Sequence, residues 1–255
     1  MYRIGVVSLF PELVEPVVRF GVVGRARERG LLAIEHVSPR DFTTDRHRTV
    51  DDRPYGGGPG MVLKYEPMRE AVRALRGRLP AGTRELVLTA QGRPLDQALV
   101  RELAQVPGLL LVAGRYEGID ERLVEAEGLE ELALGDYVLS GGELAAAVVV
   151  DAVARLLPGA LGDEASHVED SYTAGLLDCP QYTRPEVVDG RHVPEVLLTG
   201  DHAAVRRWRL KQALGRTWLK RPQLLAQREL EAEERQLLAE FETEWQMLNS
   251  SGEFS

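Results

Sequence analysis

Glycine gathers in four short stretches of this chain: R-P-Y-G-G-G-P-G-M (Arg53 to Met61), L-T-A-Q-G-R (Leu88 to Arg93), G-R-Y-E-G-I-D-E-R (Gly114 to Arg122) and G-D-Y-V-L-S-G-G-E (Gly135 to Glu143). Glycine lets backbone approach a ligand closely, and it also serves turns that need positive φ. A single such loop reads as a turn. Four of them shift the reading toward one shared site that holds a small molecule largely by backbone groups. Ser140 and Glu143 also have the spacing of a capping box for a helix that begins there.

The better-known phosphate cradles are missing, because neither G-x-G-x-x-G after a strand nor G-x-x-x-x-G-K-[ST] occurs. Dehydrogenase and P-loop chemistry lose their support. H-E-x-x-H and G-x-S-x-G are absent too, and His36, His47, His167, His192 and His202 do not fall at metal-ligand spacing. Cysteine occurs once, at Cys179, so one chain can build neither a disulfide nor a cysteine zinc site. Its thiol reads as a buried structural group.

The elements that must position these loops follow from hydrophobic periodicity. Strands are expected at Tyr2 to Leu9, Leu31 to Val37, Glu85 to Ala90, Leu109 to Ala113 and Glu131 to Leu134. Helices are expected at Pro11 to Phe20, Glu66 to Leu79, Leu95 to Val106, Ile119 to Glu127 and Gly141 to Leu157. Strands alternating with helices predict an α/β fold, a mostly parallel sheet covered on both faces, with ligands at the carboxyl ends of its strands. Residues 161–175, which include Gly162 and the polar run Asp163 to Ser171, read as a linker or mobile loop between residues 1–160 and a small, mainly helical domain at 176–255. In that domain Asp201 is expected to cap a helix ending at Leu214, with Gly215 as its stop and Pro222 opening another helix. Leu230, Leu237, Leu238, Phe241, Trp245 and Leu248 then recur at helical spacing.

Net charge is −9, which by itself argues against a polyanionic partner. Its distribution argues otherwise. His202 to Arg228 holds eight Arg or Lys and no acid, and Glu229 to Ser255 holds eight Glu against one Arg. The basic window reads equally as a phosphate-binding footprint and as a helix face paired with the acidic segment behind it. The longest apolar stretch, Leu144 to Leu157, carries Asp151 and Arg155 and is too short for a membrane span. A cytoplasmic location with no membrane partner is the expectation.

Two of the glycine stretches, Gly114 to Arg122 and Gly135 to Glu143, together with R-H-R-T-V-D-D-R-P-Y-G-G-G-P-G-M (Arg46 to Met61), which contains the first, L-L-D-C-P-Q-Y-T-R-P-E (Leu176 to Glu186) and R-R-W-R-L-K-Q-A-L-G-R-T-W-L (Arg206 to Leu219), closely resemble the bacterial tRNA (guanine-N1)-methyltransferase family. The resemblance covers essentially Met1 to Glu240. It implies a SPOUT-like α/β domain whose C-terminal part is tied in a trefoil knot, against the general rule of un-knotted chains. It implies S-adenosylmethionine as methyl donor, tRNA as substrate, a homodimer, and magnesium dependence, in which Glu117 is a conceivable participant. The implied reaction methylates N1 of the guanosine immediately 3′ of the anticodon.

Position by position, Leu88, Thr89, Gly114, Glu117, Leu134, Gly135, Asp136, Tyr137, Val138, Leu139 and Gly141 match the family's cofactor-binding loops. The chain departs from the family pattern at Thr89 and Ala90, where Ser and Pro are usual. Asp170 and Arg155 match the catalytic pair. Guanine N1 bears a weakly acidic proton, so the reaction needs a base there and a cation near O6, where charge develops. By residue type alone Asp170 reads equally as a solvated loop acid, and Arg155 as a last-turn cation suited to the helix dipole. His167 is a rival base that the family pattern does not include. The charge-balanced loop Arg40 to Arg53 reads either as a self-paired surface hairpin or as part of the guanine pocket, and the resemblance favours the pocket.

Overall fold

The computed structural model describes residues 1–161 and 171–250. The chain divides into two compact units, Met1–Glu164 and Ala165–Ser255. In chain order the first unit carries β1 (Tyr2–Val7), α1 (Glu15–Arg19), α2 (Gly21–Glu28), β2 (Leu32–Val37), β3 (Asp51–Asp52), β4 (Val62–Leu63) and α3 (Tyr65–Arg76). Then follow β5 (Arg84–Pro94), α4 (Gln97–Gln105), β6 (Gly108–Ala113), α5 (Glu121–Glu127), β7 (Glu130–Ala133) and α6 (Glu143–Ala154).

Five strands form one parallel sheet in the order β2-β1-β6-β5-β7. The centre of the sheet is buried on both faces because β1 and β6 are largely apolar; every residue of β6 is buried. Alternation divides them: Ile4, Val6, Leu86, Leu109 and Leu111 pack with buried residues of α2, α4 and α6, while Val7, Val87, Leu110 and Val112 pack with those of α3 and α5. This is the α/β class with the parallel sheet expected from the alternation.

Two local expectations are corrected. The Pro11 to Phe20 segment is not one helix but a 3-10 turn at Pro11–Leu13 followed by α1, and Phe20 is extended. Pro16 lacks the N–H that a continuous helix would need there, so a new helix starts around it. The strand read as ending at Ala90 runs on to Pro94. Leu88 and Arg93 both pair with Leu132 of β7, so Thr89, Ala90, Gln91 and Gly92 bulge outward opposite a single partner residue. Gly92 is required where the strand rejoins, since a Cβ there would lie 2.3 Å from the backbone of Glu131 and Leu132.

The second unit contains a two-stranded hairpin, β8 (Val187–Val188) with β9 (Arg191–His192), then α7 (His202–Lys220), α8 (Pro222–Leu225) and α9 (Ala232–Ser250). Asp201 caps α7 as expected, accepting from the N–H groups of Ala203 at 2.9 Å and Ala204 at 3.1 Å. Gly215 does not stop that helix. It lies inside α7, where a Cβ would sit 2.2 Å from the Phe241 ring of α9, so it is a close-approach glycine. Packing outweighs the cost of glycine in a helix, about 1 kcal/mol. Leu176, Leu214 and Leu237 form the centre of this unit's core, and the apolar stripe of α9 fades toward an exposed Leu248.

Candidate active site

Three of the four glycine stretches meet at the carboxyl edge of the sheet and enclose a cavity of about 350 Å³. Leu88, Thr89, Gly114, Glu117, Leu134, Gly135, Tyr137, Val138, Leu139 and Gly141 line it, whereas Asp136 does not. Gln91, Tyr116, Ile119 and Ser140 are wall residues that sequence reading did not assign to ligand binding.

Each wall is shaped by local backbone chemistry. The first is the four-residue bulge of β5. The second turns through Tyr116 at φ 60° and Gly118 at φ 137°; a left-handed tyrosine costs energy and is typical of a functional loop. The third, Leu134 to Gly142, folds on itself through the Tyr137 N–H to the Gly135 carbonyl at 2.8 Å. It reaches the second wall through the Gly142 N–H to the Gly114 carbonyl at 2.8 Å and a bridge between Arg115 and Gly141. A Cβ on Gly142 would lie 2.8 Å from Ala113 Cα, which requires glycine there.

The glycine-rich stretch Arg53 to Met61 is not itself a wall. It buttresses the second one: the Glu117 N–H donates to the Met61 carbonyl at 3.0 Å and the Leu63 N–H to the Gly118 carbonyl at 2.9 Å. Gly60, at φ 83°, lies where a Cβ would collide with the Glu117 side chain.

The expected capping box does not form. Gly142 caps α6 without a side-chain bond, and Ser140 leaves Glu143 to other partners. Glu143 is fully buried, accepting from Ser8 Oγ at 3.0 Å and from Arg115 Nε at 2.8 Å. The cavity itself carries Glu117, Glu121 and Glu131 alongside Arg115. It thus offers carboxylates for a cationic ligand and backbone polar groups at its glycines.

Arg155 follows the last residue of α6, its N–H donating to the Asp151 carbonyl at 3.2 Å, and it is not among the cavity walls. The cavity meets the opposite end of that helix, roughly 18 Å away along a 12-residue axis. Asp170 and His167 lie outside the described residues. Burial pushes the Cys179 thiol up, which disfavours the nucleophilic thiolate. Among the described residues no three of His, Cys, Asp and Glu gather as a metal-binding set.

In the loop Arg40 to Arg53, Arg48 pairs with Asp41, its Nε donates to the Arg40 carbonyl at 3.0 Å, and Asp45 accepts from the Thr49 N–H at 2.8 Å. Those contacts favour the self-paired reading for this half of the loop. Backbone acceptance from Thr49 holds the Asp45 carboxyl below its ordinary range.

The basic window divides by helix face. Arg207 pairs with Glu233 and Glu240, Lys211 with Glu244, and Arg228 with Glu234. Arg206, Arg209, Arg216 and Lys220 have no ion-pair partner among the described residues, and at 100° per residue they share a sector of about 80° on α7. The paired reading therefore holds for Arg207, Lys211 and Arg228, while the other sector of α7 keeps cations that form no ion pair among the described residues.

Among the described residues no helix is long and apolar enough to cross a membrane. Residues 2–227 match the family model described as tRNA (Guanine-1)-methyltransferase TrmD. A tRNA (guanine-N(1)-)-methyltransferase of Methylococcus capsulatus is 60% identical over 250 residues, covering 98% of this chain and all of that protein. One from Chromohalobacter salexigens is 61% identical over 244 residues, covering 93% of this chain and 91% of that one. A third, from Salmonella schwarzengrund, is 59% identical over 241 residues and 94% of each chain. With a full-length family match joined to a glycine-walled cavity at the sheet's carboxyl edge, this chain belongs to the tRNA (guanine-N1)-methyltransferase family.

Proposed function

We propose that the cavity holds S-adenosylmethionine and that its methyl group passes to N1 of the guanosine immediately 3′ of the tRNA anticodon. The observation that carries this reading is the convergence of three glycine-bearing walls on one cavity. Its volume lies in the range of small-molecule sites, and its carboxylates complement the sulfonium and ammonium charges of the donor. Asp170 takes the N1 proton while the N1 lone pair attacks the methyl carbon; the carbon–sulfur bond breaks with its electrons going to sulfur, leaving S-adenosylhomocysteine. Arg155 stabilises the charge that moves toward guanine O6.

The site is composite in a homodimer. Phe10, Leu13, Val17 and Phe20 on one segment, and Leu144 and Val148 on α6, are large apolar residues exposed on elements that touch each other. Such a face suits a second copy of the chain. Arg155 stands at the far end of α6 from its own chain's cavity, so pairing copies across this face lets one copy's 155–170 stretch serve the other's cavity. The family's trefoil knot is part of the same reading. β7 is an edge strand, and the chain leaving it returns to hydrogen-bond with Gly114 at the end of β6, which supports that reading.

The four α7 cations that have no ion-pair partner among the described residues supply phosphate contacts to tRNA. The shared site is tested by mixing two inactive chains, Gly114→Val, which fills the cavity, and Asp170→Ala. If cavity and base come from different copies, half of the dimers are mixed and each has one intact site, so about one quarter of wild-type activity returns. No recovery on mixing would overturn the composite site.

A further inference from the structure

We infer that Glu143, which lines no part of the cavity, is the positioning residue that sets the distance between two cavity walls. The inference rests on the reading of the cavity as the S-adenosylmethionine site. Glu143 is 0% exposed, and a buried carboxylate persists only when its oxygens are satisfied. Here Oε2 accepts from Arg115 Nε at 2.8 Å and Oε1 from Ser8 Oγ at 3.0 Å. Arg115 belongs to the second wall and also donates to the Ser140 carbonyl of the third at 3.3 Å. Its guanidinium lies 4.7 Å from the centre of the Phe10 ring, and the Phe10 N–H donates to Ser8 Oγ at 3.0 Å.

One carboxylate beneath the floor thus ties together the end of β1, the loop after β6 and the approach to α6. The packing leaves no slack, since a Cβ on Gly141 would lie 2.3 Å from Arg115 Nε and 2.6 Å from Glu143 Oε2. The glycine of the third wall is there because the ion pair passes under it. Glu143 also sits in the first turn of α6, where a negative charge is favoured. Fixing both walls before the ligand arrives lowers the ordering cost of binding.

The test measures S-adenosylmethionine affinity by calorimetry, tRNA affinity by filter binding, and thermal stability, on full-length protein. Glu143→Gln keeps the shape and removes the charge that holds Arg115. Its S-adenosylmethionine Kd is expected to rise about tenfold, the scale of one hydrogen bond to a charged group, with tRNA Kd within about twofold of wild type. A purely structural role would lower stability and leave the donor's Kd unchanged, and that result overturns the inference, as does an equal rise in both Kd values. Ser8→Ala strips only the second contact and is the milder variant if Glu143→Gln does not fold; an unchanged donor Kd there also overturns it. Because Glu143 acts through Arg115, adding Glu143→Gln to Arg115→Gln should weaken binding no further than Arg115→Gln alone. Gly114→Val separates the two levels of argument: if it leaves donor affinity intact, it is the cavity assignment that fails.

Discussion

The two faces of α7 make opposite predictions about salt, and the difference is large enough to measure. Neutralising Arg206 and Arg216 to Gln removes two cations that have no ion-pair partner among the described residues. Neutralising Arg207 and Lys211 removes two that already face Glu233, Glu240 and Glu244. Each phosphate contact contributes about 0.9 to the slope of log K against log salt on duplex, and about 0.7 on single strands. Two lost contacts flatten the slope by about 1.4 to 1.8. Across a fourfold change, from about 50 to 200 mM salt, the affinity gap between wild type and the Arg206→Gln/Arg216→Gln protein should therefore shrink by about 7- to 12-fold. The Arg207→Gln/Lys211→Gln protein should keep the wild-type slope, because its cations are spent on carboxylates. Titrating labelled tRNA by filter binding at four salt concentrations reads both slopes directly. Equal flattening in the two variants, or none in the first, would refute the division of the helix into a free and a paired face.

Gly215→Ala should destabilise the second unit by about 1 to 3 kcal/mol, seen as a lower denaturation midpoint, because its Cβ would overlap the Phe241 ring; a shift below 0.5 kcal/mol would show that α9 simply backs away. Asp170→Ala should abolish single-turnover methyl transfer with donor affinity retained, and substantial residual transfer would remove it as the base. Arg155→Lys keeps the charge but loses the planar fork, so kcat should fall by about 100-fold or more; near-normal turnover would show that no directed guanidinium contact is needed.

What was legible in the sequence was whatever depends on local pattern. The aliphatic run of β6 has one stable use, a strand buried on both faces, and the glycines behind it mark the ligand edge. Several of the misreadings share one cause, that a residue's local role was overridden by a partner distant in sequence. Gly215 has the look of a helix stop, and only the Phe241 ring explains why it lies mid-helix. Ser140 and Glu143 have capping-box spacing, yet Arg115 and Ser8 claim the carboxylate. The basic window was legible as charge, but which face remains free depends on where α9 docks. Gly92 has the look of a ligand-loop glycine, yet its constraint is the backbone of β7.

The bulge of β5 has a consequence for how a ligand enters and leaves. Both feet of that four-residue arch are anchored on the same neighbour, Leu132. An arch pinned twice to one strand has no hinge, so it cannot swing aside as a flap. On the proposed reading of the cavity, donor and spent product then pass by its other walls. In the third wall, Tyr137, Val138 and Leu139 are all exposed to solvent. On that reading, substitutions at this exposed tip would act on product release before they act on chemistry.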